Sequence, residues 1–166
     1  MAKREPLYKW RIKQKGIFNF AEMYNSSKDW LRDEGYKVIE QTYTEEIIGD
    51  SKKLEIRWEA TRKISDYYKF VIVINWLVLN LKNVFVQKHG EVVKMNSGEP
   101  EITIKAIIIK DYEHRWEMSF FQKFLRGIYD KYIVKSRFDE YKLKLASECE
   151  EFNKYLKSFL SSSGTS

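Results

Sequence analysis

A chain of 166 residues with 43% hydrophobic and 33% charged side chains is sized for one buried core and is too apolar for a disordered protein. One cysteine, Cys149, gives no disulfide within the chain, and the stretch from Met1 to Lys15 is charged throughout, unlike a secretory signal, so a reducing, cytoplasmic setting is expected. The excess of 30 basic over 24 acidic residues, a formal +6, raises the question of an anionic partner without answering it.

From Leu7 to Lys15 the residues alternate, with Tyr8, Trp10 and Ile12 on one side and Lys9, Arg11 and Lys13 on the other, which predicts a half-buried strand. Asn19 then stands three residues before Glu22 as a cap with its capping-box acid. Phe20, Met23, Tyr24, Trp30 and Leu31 recur at helical spacing until Gly35. From Tyr36 to Tyr112 the period returns to two. Breaks at Gly49-Asp50-Ser51, near Ser65-Asp66, around Asn80, at His89-Gly90 and at Ser97-Gly98 predict six strands, although Lys69 to Gln87 also admits one long bent strand. Short turns between consecutive strands predict an antiparallel meander. The run Phe70 to Leu79 is the most apolar, yet it falls well short of the ~20 residues of a membrane-spanning helix.

Beyond Asp111 a helical stripe of Phe121, Phe124, Leu125, Ile128, Tyr132, Tyr141, Leu145, Phe152 and Leu156 predicts a long C-terminal helix. Run without a break from His114 to Leu160 it would be roughly 70 Å long, so a bend is expected near Val134 to Arg137. Residues 1–160 are expected to form a single α+β domain, and the serine-rich 161–166 a disordered tail.

In this order (strand, helix, six-stranded antiparallel meander, long C-terminal helix) the elements resemble the helix-grip superfamily of START and birch-pollen-allergen-like proteins. Two segments, Lys28 to Tyr36 and Arg126 to Tyr132, are also similar to those of uncharacterised small archaeal proteins. The helix-grip resemblance implies a sheet wrapped around the last helix with a cavity for apolar or lipid-like ligands between them. Its lining would be Ile56, Trp58, Phe70, Ile72, Ile74, Trp76, Ile102, Ile104, Phe121, Phe124 and Ile128. The same inward side chains serve equally as plain core.

Other groupings carry less chemistry. In Asp111 to Glu117, His114 and Glu117 share a helical face, but two ligands do not make a zinc site, and His89 falls in an expected hairpin turn. The plain reading is helix capping by Asp111, and Cys149 has no histidine near it in sequence. No glycine-rich phosphate loop, nucleophile elbow or Cys-x-x-Cys occurs, so no cofactor, metal or catalytic residue is expected. Lys9, Arg11, Lys13 and Lys15 offer a phosphate-tracking strip, although Tyr8 and Trp10 face away from it. Val71, Val73, Leu77, Leu79, Ile107 and Ile109 make the second sheet face apolar as well. They call for a cover: a partner subunit in a homodimer, the first helix, or the distal half of the last one. The function expected is therefore a non-catalytic binding domain for a small apolar or lipid-like ligand. The alternatives are a protein-interaction or scaffold domain with a filled core, or a basic nucleic-acid-binding protein.

Overall fold

The computed structural model describes residues 3–65, 67–110 and 135–164. In chain order these form β1 (Lys3–Lys13), β2 (Gly16–Phe18), α1 (Phe20–Asp33), β3 (Lys37–Ile48), β4 (Ser51–Lys63), β5 (Tyr68–Lys88), β6 (Glu91–Lys110) and α2 (Lys135–Gly164). The strands make one six-stranded antiparallel sheet in the order β1-β6-β5-β4-β3, with β2 beside the far part of β6. The result is an α+β fold whose longer helix comes last, compatible with a helix-grip-like topology.

Capping and turn chemistry set the element boundaries. The Asn19 side chain accepts from the Glu22 amide at 3.0 Å, and the Asn96 side chain accepts from Phe20 N at 3.0 Å, so two of the free amides at the start of α1 are satisfied. At its other end Gly35 takes φ +95, and the amides of Gly35 and Tyr36 return to the carbonyls of Arg32 and Leu31. The turn between β4 and β5 is built on Ser65, whose hydroxyl accepts from the amides of Tyr67 and Tyr68.

The strand count after the first helix differs from the expected six: among the described residues four strands follow α1 and two precede it. Three expected breaks are turns, and two are not. Around Asn80 the chain keeps its partner strand, so β5 runs unbroken from Tyr68 to Lys88 with a register shift between Leu79 and Lys82. Asn80 takes φ +54 and donates to Glu99 from its side chain, an extra residue in a bulge that has the composition of a turn. Gly98 lies inside β6, where a Cβ would stand 3.2 Å from the Leu79 carbonyl oxygen; here glycine permits close approach between strands. Past Leu81, β4 stops, and the two long strands continue as a ribbon flanked, among the described residues, only by β2.

Both described helices pack on one face of the sheet. Trp58 and Ala60 from β4, Phe70 to Trp76 in alternation from β5, and Ile102 and Ile104 from β6 meet Met23 and Leu31 of α1 and a stripe of Leu145, Cys149, Phe152, Leu156 and Leu160 on α2. Each large apolar side chain so buried contributes about 1.5–3 kcal/mol relative to exposure. Trp30 joins the helices, 5.3 Å from Phe152 and 6.2 Å from Tyr155 between ring centroids. Residues 161–164, expected in the tail, have helical backbone continuous with α2. The expected bend falls at the boundary of the described residues, with α2 beginning at Lys135.

On the reverse face Val71, Val73, Ile107 and Ile109 form a small separate cluster, buried within the single chain, while Leu77 is half-buried and Leu79 is 38% exposed. Neither described helix supplies their cover, because both lie on the opposite face. Among the described residues no helix is long and apolar enough to cross a membrane.

Candidate functional site

Six of the expected pocket residues, Ile56, Trp58, Phe70, Ile72, Trp76 and Ile104, share the helix-covered face, each 2% exposed or less. Three of them, Trp58, Phe70 and Trp76, make ring contacts. Trp58 lies 5.1 Å from Trp76 and 5.1 Å from Tyr24, and Phe20 meets Trp76 edge-on at 6.1 Å, so α1 and the sheet are joined by interlocked aromatics. Ile74 and Ile102 belong to the same layer. Phe121, Phe124 and Ile128 lie outside the described residues, as do Asp111, His114 and Glu117. His89 sits in the β5–β6 turn at φ +51.

At one end of this layer an ion pair ties four segments together. Arg62 of β4 reaches Glu148 of α2 at 2.8 and 3.0 Å, and donates to the Glu34 carbonyl at 2.6 Å, where α1 ends. The Tyr36 hydroxyl donates to the same carboxylate at 2.8 Å, and the guanidinium stacks on the Tyr36 ring at 4.8 Å. Burial, then the Glu148 charge, push the Tyr36 hydroxyl well above its ordinary pKa. Every polar group of the cluster has a partner, so it reads as a clamp and not as a reactive site.

Next to the clamp, Cys149 is fully buried, and that burial pushes its thiol from 9.0 up to about 12. A pKa raised on folding gives stability that is complete below the unfolded value and is lost as pH climbs towards the folded one. Between about pH 9 and 12, wild-type stability is therefore expected to fall more steeply than that of Cys149→Ala, by as much as about 1.4 kcal/mol per pH unit. Parallel slopes in urea denaturation across that range would refute the assignment.

The two edges of the sheet are unequal. β1 carries Pro6 and a register shift between Pro6 and Tyr8, both of which blunt an edge against further pairing. β3 forms the other edge, with no strand beyond it among the described residues. A bulge at Gln41 interrupts it between Glu40 and Thr42, leaving Thr42 to Ile48 regular and exposed along its whole length. Tyr43 is 49% exposed and Ile47 73%. Just before the bulge Glu40 is anchored inward, accepting from the Tyr24 hydroxyl and, at 3.3 Å, from Trp58 Nε1. Lys28 caps this group, 3.2 Å from the Tyr24 oxygen and 4.8 Å from its ring. Burial and the Glu40 carboxylate together raise Tyr24 to about 12.

On the face away from the helices, Lys9, Arg11 and Lys13 point as expected, opposite Tyr8, Trp10 and Ile12; Lys15 lies exposed in the segment after β1. Arg11 is paired with Glu101 at 2.7 Å. Register reveals three like-charge oppositions that composition hides: Lys3 faces Lys110, Lys9 faces Lys105, and Lys63 faces Lys69. Two concavities open on this face. One of about 350 Å³ surrounds Asn75 between Arg57 and Thr103, and one of about 620 Å³ lies at the corner of Lys37, Lys63 and Lys69. Sequence reasoning missed the exposed edge and the lysine corner. The second had a signal, since Lys63 and Lys69 stand two and three residues from the expected break at Ser65-Asp66.

The fold and its exposed groups thus define an antiparallel sheet with an interlocked aromatic core, one guarded edge and one open edge. No family model, curated protein or solved structure matches the chain.

Proposed function

We propose that the chain is a non-catalytic interaction domain with a filled core, whose β3 edge takes up an extended basic segment of a partner protein as an additional strand. The observation that carries this reading is the regular, exposed run Thr42 to Ile48, whose outward amides and carbonyls have no strand beside them among the described residues. A long exposed edge of this kind is a template for strand addition, in which backbone hydrogen bonds give affinity and alternate side chains give specificity.

Charge selects the occupant. The run carries Glu45 and Glu46 and no basic residue, with Glu40 just before it. A second copy paired antiparallel about its centre would set Glu45 against Glu45, which opposes homodimer formation here, whereas lysines or arginines on a foreign strand meet complementary charge. The apolar-ligand reading has weaker support, because its six described pocket residues are buried and two of them, Trp58 and Trp76, meet each other and the aromatic rings of α1. The nucleic-acid reading lacks a stacking platform, since Tyr8 and Trp10 pack into the core layer.

A short peptide of alternating lysine and valine is the direct probe. Amide hydrogen exchange should show new protection confined to residues 42–48, and its affinity should fall at least about tenfold with Glu45→Lys/Glu46→Lys. Protection spread evenly over the protein, or equal binding of a glutamate–valine peptide, would overturn the proposal.

A further inference from the structure

We infer that the hollow centred on Asn75, on the face away from the described helices, is a binding site for a small monocarboxylic acid with a short apolar body. Asn75 is the one polar residue in the run Phe70 to Leu79, on the central strand of the sheet, where β-branched side chains fit best. Its side-chain amide is half-buried and hydrogen-bonds to nothing among the described residues, a cost for which the packing of the sheet gives no reason. A ligand supplies the reason.

Register builds the rest of the site around this amide. Asn75 pairs with Arg57 of β4 on one side and with Thr103 of β6 on the other, so a guanidinium, an amide and a hydroxyl stand in one row that spans about 9.6 Å across the strands. Arg57 is tethered through its Nε, which donates to the Gln41 side-chain oxygen at 2.8 Å, and its two terminal nitrogens have no partner among the described residues. A guanidinium oriented in this way offers a planar fork of N–H groups that matches a carboxylate. The Thr103 hydroxyl is likewise without a partner among the described residues, so three side chains present donors to the same hollow.

A second row decides what the carboxylate is attached to. Two residues further along the strands, about 6.6–6.8 Å away, Leu77 lies between Glu55 and Glu101. Leu77 gives the hollow an apolar patch for a hydrocarbon body. The two flanking acids are engaged by Lys53 at 3.1 Å and by Arg11 at 2.7 Å; they contribute no ligand bond and oppose a second negative charge on the occupant. The volume, about 350 Å³, lies at the lower end of the about 300–1,000 Å³ usual for small-molecule pockets, which suits a short acid and not a long acyl chain.

Sodium butyrate is the probe, with butyramide as its neutral counterpart and sodium phosphate at matched ionic strength as a multiply charged control. Butyrate should move the backbone amide resonances of Arg57, Asn75, Leu77 and Thr103 saturably, at concentrations at least about tenfold lower than either control. Arg57→Gln should weaken butyrate binding at least about tenfold, and Thr103→Val, which keeps the side-chain shape and removes the hydroxyl, should weaken it without lowering the melting point. Asn75→Val should lose binding and melt no lower than wild type, because valine suits a central strand better than asparagine. A lower melting point would place the amide among the groups that hold the sheet, and retained binding would remove it from the site; either result overturns the proposal. No saturable shift with butyrate, an equal response to butyramide, which reduces the effect to apolar contact, or an equal response to phosphate, which reduces it to general attraction by a basic chain, refutes it as well. The β3 peptide experiment reads the sheet edge and needs no butyrate, so either proposal can fail alone.

Discussion

Glu148→Ala is expected to lower the free energy of unfolding by about 3–5 kcal/mol, against a total that for a domain of this kind is about 5–15 kcal/mol. The size follows from what remains behind. The Arg62 and Glu148 side chains are only 17% and 12% exposed, so removing the carboxylate leaves a guanidinium largely cut off from water and deprives the Tyr36 hydroxyl of its acceptor. It also loosens a link between α2 and the end of α1, since the Arg62 that caps Glu34 loses the partner that orients it. Replacing both members by methionine should recover most of the loss, because a buried pair is often no better than apolar groups of similar volume. Urea unfolding with unchanged slope is the measurement. A cost below about 1 kcal/mol for the single alanine would show that water reaches the pair freely.

Trp58→Ala should cost a comparable amount, about 3–5 kcal/mol, by a different route. Its ring is fully buried between Tyr24 and Trp76, so truncation opens a cavity with rigid aromatic walls that collapse poorly. It also removes one of the two donors to Glu40 and so weakens the inward tether of β3. A variant that retains the ring, Trp58→Phe, should lose markedly less, and hydrogen exchange should quicken in β3 more than in β6. If alanine were tolerated at about 1 kcal/mol, the layer between α1 and the sheet would have to be loosely packed, and the ligand-cavity expectation would regain its footing.

Much of the architecture was legible wherever one residue type serves one physical purpose. Asn19 with Glu22, Gly35, and the turns at Gly49-Asp50 and His89-Gly90 stand where the sequence places them, because capping and tight turns are local problems. Asn80 and Gly98 misled because the same residues also solve a non-local one, fitting a bulge and a close strand approach. Inward residues of β4 and β5 were correctly grouped by alternation, but alternation is silent on whether the space between them is open. The candidate surfaces were harder still. That β3 ends the sheet, and that Lys63 faces Lys69, are properties of strand order and register, which emerge only once all strands are paired.

The strand that opens the chain is paired with the strand that closes the sheet, Lys3 opposite Lys110 and Lys13 opposite Glu101. During synthesis β1 therefore leaves the ribosome long before its partner strand β6 exists, with Tyr8, Trp10 and Ile12 uncovered on one side. The β3-to-β6 meander can assemble from neighbours as each hairpin appears, but the N-terminal strand must wait for the last of them. Its dense lysine and arginine face, whatever else it contacts, keeps that waiting segment hydrated and mutually repelling between nascent chains, and the final seam of the sheet is sewn by its earliest residues.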